Sequence, residues 1–497
     1  MQNNSYNQIL KSTSLIGGSQ VINIILGIIR TKVLALLLGP SGVGLMGLYN
    51  SVSGTVNVLT GMGINSSGIR QIAEAVGTGD NRRISITIIT LRRTVLILGL
   101  IGMTFMLLFR EQISQFTFSN NEYSFDLAIL SLAVVCVAIS GGQTALIQGM
   151  RRVAELAKIN VLSAVTGTVL SIIIIYFLRH KGIAWFLVAI AASTIFFSWW
   201  HARKINISRI RISWQDYHKE LKGLFRLGLV FMSSGVMTMG TTYFLGVMVV
   251  RYLGLEATGI YQAAVTLSSV YIGVILSAMS ADFYPRLTAV AEDNEICNRL
   301  INEQAEVGVL LAVPGIIATI IFAPFVIRVF YSSIFDLSVD VLRWQILGVF
   351  LRVTCWPMSY LLIAKGAGKT YFLTECIANI IYIIFTWIGI RLFGIVGTGM
   401  AFFGLYAFYW LLIYYVVRIK SGFRWSNKNL KIFIIFIPLV IAAFLSAIFL
   451  EQTIYTLIGF ALLVLSIVIS YRNLLAVAGI SNFYEFVLML KTRFGFR

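Results

Sequence analysis

The sequence predicts an all-α integral membrane protein with about 14 transmembrane helices. Of its 497 residues, 58% are hydrophobic and 12% are charged, whereas soluble globular proteins carry about 25% charged residues. A chain with so few charges cannot cover a surface that faces water, so most of it must face lipid. The second observation is a series of apolar segments of about 20 residues, the length that crosses a bilayer as a helix.

The apolar segments follow one another along the chain with only short polar stretches between them. The first ten residues are polar and lack a basic region, so a cleavable signal peptide is not expected. The longest intervening stretch, near 202–222, fits a surface helix or an ordinary basic loop equally well. The segments lie near 10–37, 43–68, 85–109, 124–148, 157–178, 182–201, 223–250, 258–282, 304–330, 336–362, 371–392, 395–417, 431–450 and 452–470.

The third observation is the uneven distribution of basic residues, which give the chain a formal net charge of +19. If the N-terminus is cytoplasmic, 29 of the 39 Lys and Arg residues fall on the inner side, six on the outer side and four within spans. Membrane proteins keep Lys and Arg in their cytoplasmic loops, so this asymmetry predicts that both termini are cytoplasmic. The positive charge then needs no nucleic acid to explain it, and no nucleic-acid partner is expected.

The chain contains an internal repeat at a nearly constant offset. The segment 38–45 (LGPSGVGL) returns as 253–260 (LGLEATGI), and two further pairs are 68–70 with 284–286 and 147–149 with 364–366, at offsets of 215, 216 and 217. An even number of spans separates the copies, so the repeat predicts two parallel six-helix lobes, an architecture typical of transporters. The last two spans have no counterpart.

This repeat divides the chain into four predicted regions. They are an N-terminal six-helix lobe (1–202), a cytoplasmic linker (203–222), a C-terminal six-helix lobe (223–420), and two extra helices with a cytoplasmic tail (421–497).

Two glycine-rich motifs resemble nucleotide-binding loops but occur in the wrong context. Residues 42–47 (GVGLMG) fit G-x-G-x-x-G, yet they join two membrane spans and no acidic residue precedes Glu74. Residues 366–370 (GAGKT) resemble the end of a P-loop, but Ile363 occupies the position of its first glycine. The four Cys and three His have no metal-ligand spacing. No metal, no cofactor and no enzymatic activity are therefore expected.

Polar residues in the first span form one stripe on an otherwise apolar helix. Ser12, Ser19, Asn23 and Arg30 share a face at about 100° per residue. Because an ionisable group in a span is costly, such a stripe should face a cavity rather than lipid. Arg30 is the leading candidate for a substrate-binding residue, with Asn23 and Ser19 beside it. The alternative is that Arg30 snorkels to the outer interface, as Lys32 on a different face is expected to do.

The tenth span carries two arginines on opposite faces. Arg352 lies near mid-depth, where snorkelling is difficult, and shares its face with Gln345 and Gly348. Pro357, about one turn further on, would kink the helix and free backbone carbonyls. Arg352 and Gln345 are therefore predicted to face an aqueous interior. Arg343 sits nearer the outer end, where its side chain could snorkel.

Acidic residues are rare within the spans. Glu375, near the inner end of the eleventh span, is expected to pair with Lys365 or Lys369, with a protonatable role as the alternative. In the first lobe only Asp126 stands near a span, and it is interfacial. A cavity with arginine and no matching carboxylate attracts anions, and guanidinium binds phosphate in a bidentate manner.

Several segments resemble Wzx-type flippases of O-antigen and related polysaccharide repeat units, in the multidrug/oligosaccharidyl-lipid/polysaccharide exporter superfamily. The resemblance covers residues 8–420, and the final two spans match less well. The first span is also similar to the lipid II flippase of peptidoglycan synthesis at 26–30 (LGIIR). The segments that carry the Wzx resemblance are 38–45, 259–262 (GIYQ), 284–287 (YPRL), 344–348 (WQILG), 351–353 (LRV) and 360–365 (YLLIAK).

The resemblance implies a function. It implies a flippase that moves an undecaprenyl-diphosphate-linked oligosaccharide from the inner to the outer leaflet of the bacterial inner membrane. Arg30 inherits a cavity role from the lipid II flippase, and Arg352 stands where a relative has Lys. The implied partners are this lipid-linked oligosaccharide, membrane lipid and polysaccharide polymerase machinery.

Other functions remain open alternatives. A drug/cation antiporter of the same fold would require mid-membrane carboxylates in the first lobe. A glycosyl polymerase or ligase would require a large outer loop with catalytic groups, and the predicted outer loops are short. A membrane scaffold would not need the polar stripe or the repeat.

Overall fold

The computed structural model describes residues 2–205 and 213–478, and these residues form helices without strands. Parts of the predicted linker and tail, the side chain of Ser12 and the basic residues after 478 lie outside the described residues. Fourteen α-helices are described: α1 (Gln2–Gly61), α2 (Ile64–Thr78), α3 (Asn81–Leu108), α4 (Arg110–Phe118), α5 (Ser124–Gly149), α6 (Val153–Leu178), α7 (Ile183–Ala202), α8 (Trp214–Ala289), α9 (Asn294–Phe330), α10 (Ser338–Ala364), α11 (Gly368–Phe393), α12 (Val396–Ser421), α13 (Asn427–Phe449) and α14 (Gln452–Ala478).

The predicted number of membrane crossings agrees with this architecture. In the described part of the chain, eleven helical stretches are long and apolar enough to span a membrane. Three of them, Ile22–Gly61, Val153–Ala202 and Phe231–Gly273, contain 40, 50 and 43 residues. At about 1.5 Å per residue, each is roughly twice the thickness of the hydrocarbon core. Each therefore accommodates two crossings, which gives the predicted fourteen.

Glycine kinks divide the two longest helices. α1 breaks at Gly39 (φ 65°, ψ −170°) and α8 breaks at Gly254 (φ 88°, ψ 177°). Only glycine adopts this backbone conformation readily, because a Cβ would clash there. The two glycines are 215 residues apart, as the sequence repeat predicts. The repeat is thus a repeat of backbone geometry as well as of sequence.

An aspartate cap also recurs between the copies, and one pair of helices has the same length. Asp80 caps α3 by accepting from the N–H groups two and three residues on, and Asp293 caps α9 in the same way. An aspartate at this position satisfies N–H groups that have no partner within the helix. Helices α6 and α11 have the same length of 26 residues.

The structure corrects the third sequence match of the repeat. The motif comparison pairs 147–149 with 364–366 at an offset of 217, whereas the backbone pairs Arg151 (φ 57°) with Gly366 (φ 68°) at 215. The same hydrogen bonds close both turns, since Arg152 N–H donates to Ile147 O and Ala367 N–H donates to Leu362 O. The sequence match aligned Gly149 with Gly366. This alignment was wrong because the residue equivalent to Gly366, with positive φ, is Arg151 in the first copy.

The described helices form two compact units, which divide between Gly259 and Ile260. The first unit has a core that joins α1, α5, α6 and α7, and its largest fully buried side chains include Tyr49 and Phe186. The second has a core around α9, α10 and α12 that includes Phe283 and Phe423. The placement of the lobe boundary at residues 203–222 stays a prediction.

Glycines in the rejected nucleotide motif allow close packing inside the first unit. A Cβ on Gly44 would lie 2.5 Å from Leu255 O and 2.7 Å from Gly259 N, and a Cβ on Gly259 would overlap Pro40 O. The segments that follow the two kinks therefore pack backbone to backbone. Close helix packing, rather than phosphate binding, is the role of Gly44 in this motif.

The last two helices are attached to α9 by a polar network. Asn302 accepts from Ser426 N–H and from Asn429 Nδ2, both at 2.8 Å, and donates to Arg424 O at 3.1 Å. A Cβ on Gly459 of α14 would meet Ile321 of α9. These contacts belong to the region that has no counterpart in the repeat.

Candidate substrate-binding residues

The polar stripe of the first span lies away from the most exposed face of α1. Ser19 is 5% exposed, whereas Asn23 and Arg30 are half-buried. At about 100° per residue, the stripe lies roughly 110° round the helix from the most exposed apolar side chains before the Gly39 kink. These are Ile22, Ile25, Ile29 and Leu36. The stripe is also close in direction to the buried Leu34, so it does not occupy the face best suited to contact lipid.

Arg30 keeps its hydrogen-bonding capacity within this stripe. No carboxylate among the described residues forms an ion pair with it. Seven residues earlier, the Oδ1 atom of Asn23 is buried without a hydrogen-bond partner. Buried polar atoms normally have partners. A ligand with both acceptors and donors would satisfy this pair of side chains.

Arg352 lies close to the middle of α10 and is half-buried. Its guanidinium stands over the ring of Tyr406, 5.6 Å from the ring centroid, a cation–π contact. It is also close enough to the carboxylate of Glu375 for an electrostatic interaction. The predicted residues Arg352 and Glu375 are therefore neighbours in the second unit.

The hydrogen-bond partner of Glu375 differs from the predicted one. Tyr409 Oη donates to Glu375 Oε1 at 2.7 Å. Lys365, one of the two lysines that the sequence proposes as partners, instead donates from Nζ to Ala291 O at 2.6 Å, and Lys369 forms no ion pair with Glu375 among the described residues. A lysine near the end of a helix readily donates to carbonyls that have no partner within the helix. The sequence does not indicate that α12 places a tyrosine beside Glu375 of α11.

Gln345 is more deeply buried than its position beside Arg352 suggests. It is 1% exposed, and Ser268 Oγ donates to its Oε1 at 2.9 Å. Its Nε2 atom is buried without a partner. On the same face, Gly348 packs against Phe402. The side chain therefore offers the two N–H donors of its Nε2 group rather than a full amide.

Arg343 does not snorkel as the sequence suggests. It is 6% exposed, and its Nε donates to Ile320 O at 3.2 Å. Its Nη1 lies 3.4 Å from Asp340, and Tyr455 of α14 lies against the guanidinium. The carbonyl comes from α9, the ring from α14 and the carboxylate from α10 itself, so Arg343 is a packing residue of the second unit.

Sequence reasoning missed the tyrosines around Arg352 and Glu375. Tyr406 and Tyr409 are three residues apart on α12, and Tyr382 of α11 hydrogen-bonds to Tyr261 of α8. The signal available was the excess of tyrosine in the twelfth span, but only the packing of α10, α11 and α12 indicates what these rings contact.

The predicted candidates are distributed over both units. Ser19, Asn23 and Arg30 belong to the first, and Gln345, Arg352 and Glu375 belong to the second. The chain is a multi-pass membrane protein with fourteen apolar crossings, and some of these crossings carry arginines. Arginines within membrane spans are typical of substrate pathways, so the protein is of the transporter type.

The chain belongs to the family described as "Polysaccharide biosynthesis protein", whose model matches residues 33–340. It is 24% identical over 422 residues to the lipid III flippases of Escherichia coli (strain K12) and Shigella flexneri, covering 81% of this chain and 96% of each relative. The predicted kinship with a family of polysaccharide biosynthesis is therefore confirmed.

Solved structures share the fold. The lipid II flippase MurJ in an inward closed conformation aligns with a TM-score of 0.71 and 16% identity, over 93% of this chain and 99% of that chain. An inward-facing multidrug resistance MATE family transporter of the MOP superfamily aligns with a TM-score of 0.67 and 17% identity, over 80% and 94%. These similar proteins are flippases and transporters, in agreement with the prediction that the chain is not an enzyme.

Proposed function

We propose that this protein translocates a lipid-linked oligosaccharide across the bacterial inner membrane. The cargo is an undecaprenyl-diphosphate-linked polysaccharide repeat unit of the O-antigen type, moved from the inner to the outer leaflet. The family match and the similarity to a lipid III flippase over most of both chains support a cargo of this class.

The observation that carries the proposal is the state of two side chains in the polar stripe of α1, Arg30 and Asn23. Arg30 has no carboxylate partner among the described residues, and Asn23 Oδ1 is buried without a hydrogen bond. Guanidinium binds a diphosphate through paired N–H groups, and sugar hydroxyls can donate to a free amide oxygen. Arg352 is the predicted cargo-binding arginine of the second unit.

The tyrosines beside Arg352 fit a role in holding sugars or in setting the position of the guanidinium. Aromatic faces pack against the apolar sides of sugar rings, and their hydroxyls serve as hydrogen-bond partners. Glu375 balances part of the charge of Arg352, so it tunes how strongly that arginine attracts phosphate. Transport then proceeds by alternating access, as in other repeat-based transporters.

The distribution of basic residues supports a topology with both termini in the cytoplasm. In that orientation a membrane potential that is positive outside favours outward movement of an anionic cargo. Polysaccharide polymerase machinery is the partner that would receive the cargo at the outer leaflet.

Restoration of surface polysaccharide in a cell that lacks its own flippase tests this function. Arg30→Ala and Arg352→Ala should each abolish the polysaccharide while the protein stays in the membrane at normal level. Arg30→Lys should retain part of the export, because the charge remains without bidentate geometry. Lys32→Ala on another face of α1 is the matched control and should export normally. Normal polysaccharide with both alanine variants would contradict the proposal.

A drug/cation antiporter remains the second candidate because a multidrug transporter has a similar fold. Its cation would need a free carboxylate in the first unit, and Asp126 already accepts from Tyr49 Oη at 2.6 Å. If expression of the protein lowered cellular ethidium and failed to restore polysaccharide, the antiporter would replace the flippase.

A further inference from the structure

A second basic site lies in the first unit, apart from the polar stripe. Helices α3, α5 and α7 enclose a pocket of about 300 Å³. Its polar lining comes from Arg92, Gln143 and Arg203, and the other lining residues are Val95, Leu96, Ile139 and Trp199. None of these residues belongs to the proposed cargo-binding set.

The pocket lies toward one end of the three helices. Arg203 directly follows the end of α7 at Ala202, and Gln143 is six residues before the end of α5 at Gly149. Arg92 is eleven residues into α3, about 16 Å along its axis. By the distribution of basic residues, these ends lie on the cytoplasmic side. The pocket therefore opens at the depth of the inner-leaflet headgroups and the upper acyl chains.

No carboxylate of the described residues neutralises the two arginines. Neither Arg92 nor Arg203 forms an ion pair with a carboxylate of the described residues, and both are exposed. The Arg203 guanidinium lies 5.0 Å from the Trp199 ring centroid and 4.0 Å from that of Trp200. These rings hold the guanidinium in place while its N–H edges stay available.

The rest of the lining is apolar and continues to the lipid-exposed surface. Leu96 lines the pocket and is 45% exposed, and Trp199 is 49% exposed. Tryptophan at the headgroup level is typical of membrane interfaces. A ligand that fills this pocket must therefore place an anion at the arginines and hydrocarbon against Leu96 and Ile139.

We propose that this pocket binds the headgroup phosphate of an anionic phospholipid of the inner leaflet. Arg92 and Arg203 contact the phosphate, Gln143 adds a polar contact, and the acyl chains run along the apolar lining. Basic pockets between transmembrane helices on the cytoplasmic side are suited to such headgroups. Because α3 and α7 each contribute one arginine, the bound phosphate joins these helices and stabilises the first unit.

Thermal unfolding of the full chain in detergent, with and without dioleoylphosphatidylglycerol, tests this site. The anionic lipid should raise the unfolding temperature, and lipid adducts should survive in native mass spectra. Arg92→Gln and Arg203→Gln should each weaken the apparent affinity about tenfold, the effect of losing a charged hydrogen bond. The double variant should lose the stabilisation. The neighbours Arg93 and Lys204 do not line the pocket, so Arg93→Gln and Lys204→Gln should respond as the parent does.

Three results would overturn the proposal. The first is an unchanged lipid response in both single variants. This result can be read even if the double variant does not fold. The second is equal stabilisation by zwitterionic phosphatidylethanolamine, which would indicate a general detergent-to-lipid effect. The third is equal stabilisation by inorganic phosphate alone, which would make the site one for a free anion. Arg30→Ala should keep the lipid response, which separates this site from the proposed cargo site.

Discussion

Tyr409 Oη donates a hydrogen bond of 2.7 Å to the carboxylate of Glu375, and this contact joins α12 to α11 beside Arg352. Tyr409 is almost fully buried, so its hydroxyl has little access to water. A buried hydroxyl without a partner costs about 1–3 kcal/mol. The pair therefore contributes to the stability of the second unit and fixes the carboxylate near the guanidinium.

Glu375→Leu should destabilise the protein by about 2 kcal/mol, because it leaves the Tyr409 hydroxyl unpaired. Glu375→Gln should cost less, since its amide oxygen can still accept the bond. Thermal unfolding in detergent measures both variants. Export assays of the Gln variant then separate pairing from a protonatable role: retained export supports pairing, and lost export with normal stability supports the titrating carboxylate.

Gly39→Ala and Gly254→Ala should each destabilise the fold by about 1–3 kcal/mol, because their φ and ψ angles are nearly restricted to glycine. Gly27→Ala is the matched control on α1. It lies within the helix with open space where the Cβ would be, so it should be neutral or stabilising by up to about 1 kcal/mol. Equal effects of Gly39→Ala and Gly27→Ala on the unfolding temperature would contradict this account of the kink.

Arg151→Gly should be neutral or stabilising by up to about 1 kcal/mol, because arginine there is held at φ 57°. Gly366→Ala, at the equivalent turn of the second copy, should destabilise by about 1 kcal/mol. The unfolding temperature should therefore stay the same or rise in Arg151→Gly and fall in Gly366→Ala. A loss of stability in Arg151→Gly as large as that in Gly366→Ala would show that the two turns are not equivalent.

Arg343→Ala should destabilise the second unit by about 2 kcal/mol, since it removes a charged hydrogen bond to Ile320 O. Asp340→Ala should cost less than about 1 kcal/mol, because that carboxylate is half-exposed. Limited proteolysis would locate the effect, with faster cleavage near α14 expected in the Arg343 variant. Equal stability losses in the two variants would indicate that the ion pair, rather than the carbonyl bond, holds Arg343.

Much of the fold could be predicted from the sequence because lipid imposes a simple rule on helix length and polarity. Apolar segments of about 20 residues gave the crossings, and the repeat of 38–45 at 253–260 located both kinks. The bounds were less accurate. The predicted second span runs to residue 68, whereas α1 ends at Gly61 and Met62 and Gly63 adopt positive φ. Local backbone geometry of this kind leaves no hydrophobic signal.

For the candidate site, the sequence could predict the depth and face of a residue on its own helix, but not its contacts with other helices. Depth and face pointed to Arg30 and Arg352, because both depend on spacing along one helix. The predicted lysine partner of Glu375 was wrong, and no partner was predicted for Gln345 or Arg343. The hydrogen-bond partners Tyr409, Ser268 and Ile320 lie on other helices, which spacing along one helix does not indicate. The pocket at Arg92 and Arg203 was not predicted either, since its arginines were counted only as orientation signals in separate loops.

The most direct measurement of the central claim is leaflet exchange in vesicles that contain the purified protein. A fluorescent undecaprenyl-diphosphate-linked oligosaccharide is placed in the membrane, and its accessibility to an external quencher is followed over time. The parent protein and Lys32→Ala should speed the exchange, whereas Arg30→Ala and Arg352→Ala should leave it at the protein-free rate. Equal exchange by the parent and both arginine variants, or no exchange by the parent, would contradict the proposed mechanism.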